Sequence, residues 1–334
     1  MFKQFIEKHN IQKYRLQQLY ELYYKNPINS WDELNTWPLE LRKKIEKEIP
    51  FSTLNNFEEH VSNDERTIKT LSLTKEGYPV ETVLMKSEKR NTLCISSMSG
   101  CPVGCTFCAT GQMGFNKKLS SREIVDQVLH FKRKLHPMGQ KITNIVFMGM
   151  GEPMLNLENV VETIGILTDE NKLAFSHRRI TVSTVGYINE LKTFLEMDLG
   201  VKLAISLHTA KQELRESLMP TVATNNPLDK LMELLIDFQK RTNKRVTYEY
   251  ILLKDINDSV DDAKELAKLL KNQICLVNLI NFNPSEGIVF TPTQRDRIKD
   301  FQKILNIRGI NNTLRYSYGK DISAACGQLA SNIS

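Results

Sequence analysis

Long apolar runs are missing from this sequence. No segment of the 334 residues approaches the roughly 20 apolar residues a membrane helix needs, so no membrane partner is expected. The opening stretch MFKQFIEKHNIQKYR is polar and periodic, which argues against a signal peptide and makes the cytoplasm the expected compartment. Internal repeats and low-complexity tracts are absent too, which removes solenoids and disordered tails from consideration. A strong charge of either sign is also lacking. Lys and Arg number 45 against 39 Asp and Glu, and the resulting +6 permits a nucleic-acid partner without requiring one. Cysteine is sparse, with six in all, and in a reducing cytosol so few do not form a disulfide framework.

What cysteine there is sits close together. Cys101, Cys105 and Cys108 fall in SGCPVGCTFCATG with the spacing C-x3-C-x2-C, while Cys94, Cys275 and Cys326 lie apart. A structural zinc site or a ferredoxin-type cluster uses four protein ligands. Three thiolates on a loop made pliable by Gly100, Gly104 and Gly111 suit a different group. A 4Fe–4S cluster held by three cysteines keeps one iron open, and S-adenosylmethionine fills that place through its amino and carboxylate groups. Electron transfer then splits the sulfonium and yields a 5′-deoxyadenosyl radical. The competing reading is a zinc site that borrows Cys94 or a distant cysteine.

The surrounding pattern supports a barrel. Residues 1–55 carry helical apolar spacing in FKQFIEKHN, YRLQQLYELYYKN and LELRKKIEKEI, and form a small helical accessory domain. Residues 56–90 alternate as strands in TIKTLSLT and YPVETVLMK, a β-rich connecting segment. From 91 to 334 strand and helix take turns: TLCISS, NIVFMGM, RITVSTV, VKLAISLH, VTYEYILL, CLVNLINFN and TLRYSY, with amphipathic helices between. Ser120 and Glu123 form a capping box for the helix SREIVDQVLHFKRKL. The expected fold class is α/β, a partial (β/α)6 TIM-like barrel with its chemistry at the C-terminal strand ends.

Several further residues fall at those ends. GMGEP places Gly151 and Glu152 where backbone carbonyls and a carboxylate meet a ligand's ammonium group. Ser183, Ser206 and Asn283 each close a strand, and serve there either as plain caps or as hydrogen-bonding groups for an adenosyl ligand. Cys326 by itself reads as a small buried hydrophobe, Glu81 as a solvent-facing strand residue, Cys94 as core or a fourth ligand, and Cys275 as core. Lys117, Lys118, Arg122, Lys132, Arg133, Lys134, Arg178 and Arg179 are either solvated helix faces or an RNA footprint.

VETV, CISSMSGCPVGCTFCATGQMGF, GMGEPMLNLENV, SLH and DISAACGQL together resemble the RlmN/Cfr family of RNA methyltransferases, in the radical S-adenosylmethionine superfamily, over essentially the whole chain. The resemblance implies radical methylation of an adenine carbon in 23S ribosomal RNA, at the peptidyl-transferase centre, and of an adenosine beside the tRNA anticodon. Two S-adenosylmethionine molecules are used per turnover, with one 4Fe–4S cluster on Cys101, Cys105 and Cys108 and an electron donor such as flavodoxin. A monomer is expected. By the same resemblance Cys326 is the methyl carrier, passing through S-methylcysteine, and Glu81 is the proton acceptor. Cys94 resolves the RNA adduct through a transient disulfide with Cys326. Gly151, Glu152, Ser183, Ser206, Leu207, His208 and Asn283 line the S-adenosylmethionine site. Pro153 after GMGE follows the pattern of members that modify adenine C2, and modification of C8 in the manner of Cfr is the alternative.

Overall fold

The computed structural model describes residues 1–329. The chain opens with α1 (Phe2–Lys8), α2 (Tyr14–Tyr20) and α3 (Leu39–Glu48). Strands β1 (Leu54–Val61), β2 (Thr67–Thr74), β3 (Pro79–Ser87) and β4 (Arg90–Ile95) follow as an antiparallel run. A short ribbon of β5 (Met98–Gly100) and β6 (Phe115–Lys118) brackets α4 (Ala109–Gln112).

Strand and helix then alternate. They run α5 (Ser121–Leu135), β7 (Asn144–Phe147), α6 (Leu157–Thr168), β8 (Ile180–Thr184), α7 (Ile188–Glu196) and β9 (Lys202–Ser206). After them come α8 (Gln212–Leu218), α9 (Pro220–Ala223), α10 (Leu228–Thr242), β10 (Val246–Leu252) and α11 (Val260–Leu269). β11 (Cys275–Asn281), α12 (Arg295–Ile307) and β12 (Asn312–Leu314) complete the order.

Ten strands form one sheet in the order β1-β2-β3-β4-β7-β8-β9-β10-β11-β12. From β4 onward the pairing is parallel, the arrangement that crossover helices impose. The expected six-strand series is therefore present, with β12 as a short addition and β1 and β12 as open edges. Segment 56–90 joins the barrel strands without a break, because β3 pairs with β4. The Ser120–Glu123 capping box is formed and starts α5. Asp126 of α5 is fully buried and accepts from the Thr53 backbone and hydroxyl, both at 2.7 Å, tying the N-terminal helices to the barrel.

Register separates the two faces of the sheet. Leu93, Ile95, Phe147, Val182, Ile205 and Val277 belong to the main hydrophobic core beneath the helices. Their alternating neighbours are aligned across strands: Cys94 with Val146, Val146 with Thr181, Ser183 with Ala204, Ser206 with Glu249, and Glu249 with Asn278. Side chains two apart share a face. One face is therefore apolar and packed, whereas the other carries a thiol, hydroxyls, an amide and a carboxylate. This polar inner face lines the barrel lumen.

Candidate active site

The cysteine loop leaves β5 at the C-terminal mouth. Gly100 has φ +74°, and a Cβ there would sit 2.1 Å from the Gly114 carbonyl oxygen, so only glycine fits the hinge. Val103 and Phe107 turn inward among Leu218, Met219, Val222 and Phe282, while the Thr106 N–H donates to the Leu218 carbonyl at 3.0 Å. Anchored this way, Cys101, Cys105 and Cys108 lie within electrostatic reach of one another. Burial pushes the Cys101 thiol up to about 12, with the Val103 and Gly151 backbone N–H groups opposing the rise. Burial raises Cys105 as well, and the neighbouring cysteines and Glu152 add to it.

Among the described residues, no three His, Cys, Asp or Glu side chains converge on a single metal ion. A cubane differs from an ion in placing each thiolate on a separate iron, which spreads the sulfurs apart. Arg215 of α8 supplies a second observation. It is fully buried, donates to the Val185 and Asn226 carbonyls, and has an Nε without a partner among the described residues. Burial lowers its pKa to about 10, and Cys105 opposes that fall. A buried cation without a carboxylate is costly. An anionic cluster on the three thiolates would provide its counter-charge, so donor set and electrostatics both fit the cluster.

GMGEP closes one side of the mouth. Gly151 has φ +98°, and a Cβ there would meet Met98 at 2.5 Å. Glu152 is buried, and its carboxylate accepts from the Met154 and Val185 N–H groups, both at 2.9 Å. Burial raises it to about 7, against the hydrogen bonds from Thr184, Val185 and Met154. Ser183 and Ser206 face each other from β8 and β9 with their hydroxyls 3.4 Å apart. Asn283 is buried with its Oδ1 unpartnered among the described residues, which leaves an acceptor for a ligand.

The SLH triplet divides its roles. Leu207 sends its side chain into the hydrophobic core, so only its backbone is available at the mouth. His208 is buried at φ +61°, and its Nδ1 accepts the Ile251 N–H at 3.1 Å. Burial lowers it to about 3, so the ring is neutral, and it stands edge-on to Phe107 of the cysteine loop.

The C-terminal loop crosses the same mouth. Gly327 accepts from the Ala109 N–H at 2.8 Å, and Gln328 donates to the Pro284 carbonyl at 2.7 Å. Cys326 retains open surface, yet protein groups surround it: Arg315, Glu249, Cys108 and Cys94 are within electrostatic reach. Burial raises its thiol, and Arg315 counters the rise. Cys94, on the inner face of β4, is buried, and its thiol is raised by burial first and by Cys326 next. Glu81 on β3 lies two residues from Val83, which pairs directly with Cys94, so Glu81 and Cys94 share the inner face. Cys275 is buried in the core, as expected.

The chain is 41% identical to the probable dual-specificity RNA methyltransferase RlmN of Staphylococcus epidermidis, over 98% of this chain and 89% of that protein. It is 41% identical to the ribosomal RNA large subunit methyltransferase N of Nitrosopumilus maritimus, over 96% and 93%. A radical SAM methyltransferase from Sphaerobacter thermophilus superposes with a TM-score of 0.95 at 40% identity, covering 97% of this chain and 95% of that one. The Radical SAM superfamily model matches residues 95–270. This chain belongs to the RlmN family of radical SAM RNA methyltransferases.

As an RlmN-family enzyme it uses a 4Fe–4S cluster and S-adenosylmethionine and methylates RNA. Among the described residues no helix is long and apolar enough to cross a membrane. Reading the sequence alone missed Arg215, Glu249, Arg315 and Lys69, each drawn to the lumen by packing or register. Several of the basic residues singled out in the sequence are engaged within the protein. Lys117 is paired with Glu76 and Glu123, Lys134 with Glu59, and Arg133 stacks on Phe51. Arg179 precedes β8, at the end of the barrel opposite the mouth.

Proposed function

We propose that this enzyme methylates C2 of adenosine in 23S ribosomal RNA, at the peptidyl-transferase centre, and in tRNA beside the anticodon. Cys101, Cys105 and Cys108 hold the cluster. Gly151, Glu152, Ser183, Ser206 and Asn283, with the backbone of Leu207 and His208, line the S-adenosylmethionine site. When bound, the cluster and its S-adenosylmethionine supply hydrogen-atom abstraction and the passage of one electron, delivered by a donor of the flavodoxin kind.

The chain's residues do the rest. C2 of adenine is electron-poor and does not attack a sulfonium by itself. The Cys326 thiolate takes a methyl group from one S-adenosylmethionine, forming a carbon–sulfur bond as the sulfonium bond breaks. It then presents that carbon to the adenine. Glu81 accepts the C2 proton. Cys94 attacks the Cys326 sulfur, so a disulfide forms as the carbon–sulfur bond breaks; the bonding pair stays with the methylene carbon, which takes a proton from water, and a thiol reductant later restores both cysteines. The substrate base must leave its stack to bring C2 against Cys326.

One observation carries this reading above other radical chemistries: Cys94, Glu81 and Cys326 surround one lumen beside the three-cysteine loop. The test is nucleoside mass spectrometry of RNA from cells lacking the gene, complemented with wild type or Cys326→Ala. Loss of 2-methyladenosine, restored only by wild type, supports it. Unchanged 2-methyladenosine, or loss of 8-methyladenosine instead, overturns it.

A further inference from the structure

Glu81 is held by one oxygen only. Its Oε1 lies 3.1 Å from Nζ of Lys69 on β2, while Oε2 is buried and has no partner among the described residues. Both side chains are withdrawn from water, at 2% and 11% exposed respectively. Register explains the meeting. Lys69 aligns with Val83, and Val83 with Cys94, so Lys69, Glu81 and Cys94 share the inner face across three strands. The same ammonium group donates to the Ser323 carbonyl at 3.4 Å, three residues before Cys326. One lysine thus touches both the proton acceptor and the loop that carries the methyl group.

Building on the assignment of Glu81 as proton acceptor, we propose that Lys69 is the positioning residue of the deprotonation step. It anchors Oε1 as a carboxylate and leaves Oε2 free for the C2 proton. That proton passes to Oε2 and its bonding pair stays with the purine ring, so the step needs no further co-reactant.

The charges facing Glu81 single out Lys69. Burial raises the Glu81 carboxyl, and Lys69 is the main influence lowering it, followed by His60. His60 on β1 is 44% exposed and faces Glu58 at 3.2 Å, so water and a carboxylate screen it. Cys94 on β4 is kept a neutral thiol by its burial. The Glu81 backbone N–H meets the uncharged Met150 sulfur at 3.4 Å. Without Lys69, burial would act on the carboxyl with less opposition and favour the protonated form, which cannot accept another proton.

Two readouts test this. Isotope-edited infrared titration of cluster-free protein with labelled glutamate follows Glu81 directly, and the band is assigned by its loss in Glu81→Gln. Lys69→Met should carry the protonated carboxyl band to higher pH by a unit or more, and Lys69→Arg should restore the ionised form. In the loaded enzyme, the pH profile of RNA methylation should move up equally in Lys69→Met, with the rate on its acid limb falling about tenfold for each unit. Formation of S-methylcysteine at Cys326 should be unchanged. A Lys69→Met titration and pH profile that both superimpose on wild type, with Glu81→Gln inactive, overturn the role of Lys69 alone. Normal RNA methylation by Glu81→Gln overturns the proton-acceptor assignment and the present proposal with it.

Discussion

The Asn283 amide donates to the Cys326 carbonyl at 3.2 Å. This bond ties the loop after β11 to the loop that carries the proposed methyl carrier. Together with Gly327 on Ala109 and the Gln328 side chain on Pro284, it holds Cys326 over the lumen without using the Cys326 side chain. The thiol itself is left free for chemistry.

Removing that tie should impair presentation of the methyl group more than its loading. A typical hydrogen bond is worth about 1 kcal/mol, but misplacement of a reacting atom by about 1 Å costs on the order of a hundredfold. Asn283→Ala should therefore unfold within a few degrees of wild type while RNA methylation falls by one to two orders of magnitude. Calorimetry and single-turnover assays with mass spectrometry of the Cys326 peptide check both parts.

Glu152 sets a pH dependence of stability in the cluster-free protein. Burial holds its folded pKa near 7, above the ordinary 4.5 of a glutamate. The native state therefore keeps a proton that the unfolded chain has released, and stability falls as pH rises between those values. The whole drop is on the order of 3 kcal/mol. Glu152→Gln should flatten it, as read by urea unfolding at several pH values. An unchanged slope would assign the dependence elsewhere.

Arg215 should matter to the cluster rather than to RNA. Arg215→Met removes the buried cation beside Cys105. Iron retention should fall, and the cluster potential should move negative by tens of millivolts, since about 59 mV is tenfold in a one-electron couple. Iron analysis and spectroelectrochemistry measure these directly. Full iron at an unaltered potential would remove Arg215 from the site.

The parts of this site legible in sequence were those with local spacing. C-x3-C-x2-C, GMGEP and the strand–helix alternation each lie within one loop or one βα unit. β1 was not legible, because LNNFEEHV is a mostly exposed edge strand without apolar alternation. Arg215 in QELRESL reads as a surface helix residue until packing around Val185 buries it. The Lys69–Glu81 pair depends on register between β2 and β3, which no single segment encodes. The SLH triplet did not tell which part of Leu207 faces the mouth: its side chain lies in the core, which leaves the backbone there.

The most direct measurement uses S-adenosylmethionine bearing a trideuterated methyl group, with the reconstituted enzyme, a reductant and RNA in ordinary water. If Cys326 carries the methyl group and loses one hydrogen from it before transfer, 2-methyladenosine should contain two deuterons and one solvent proton, and Cys326→Ala should form none. Product with all three deuterons, or product formed without Cys326, would contradict a route through S-methylcysteine.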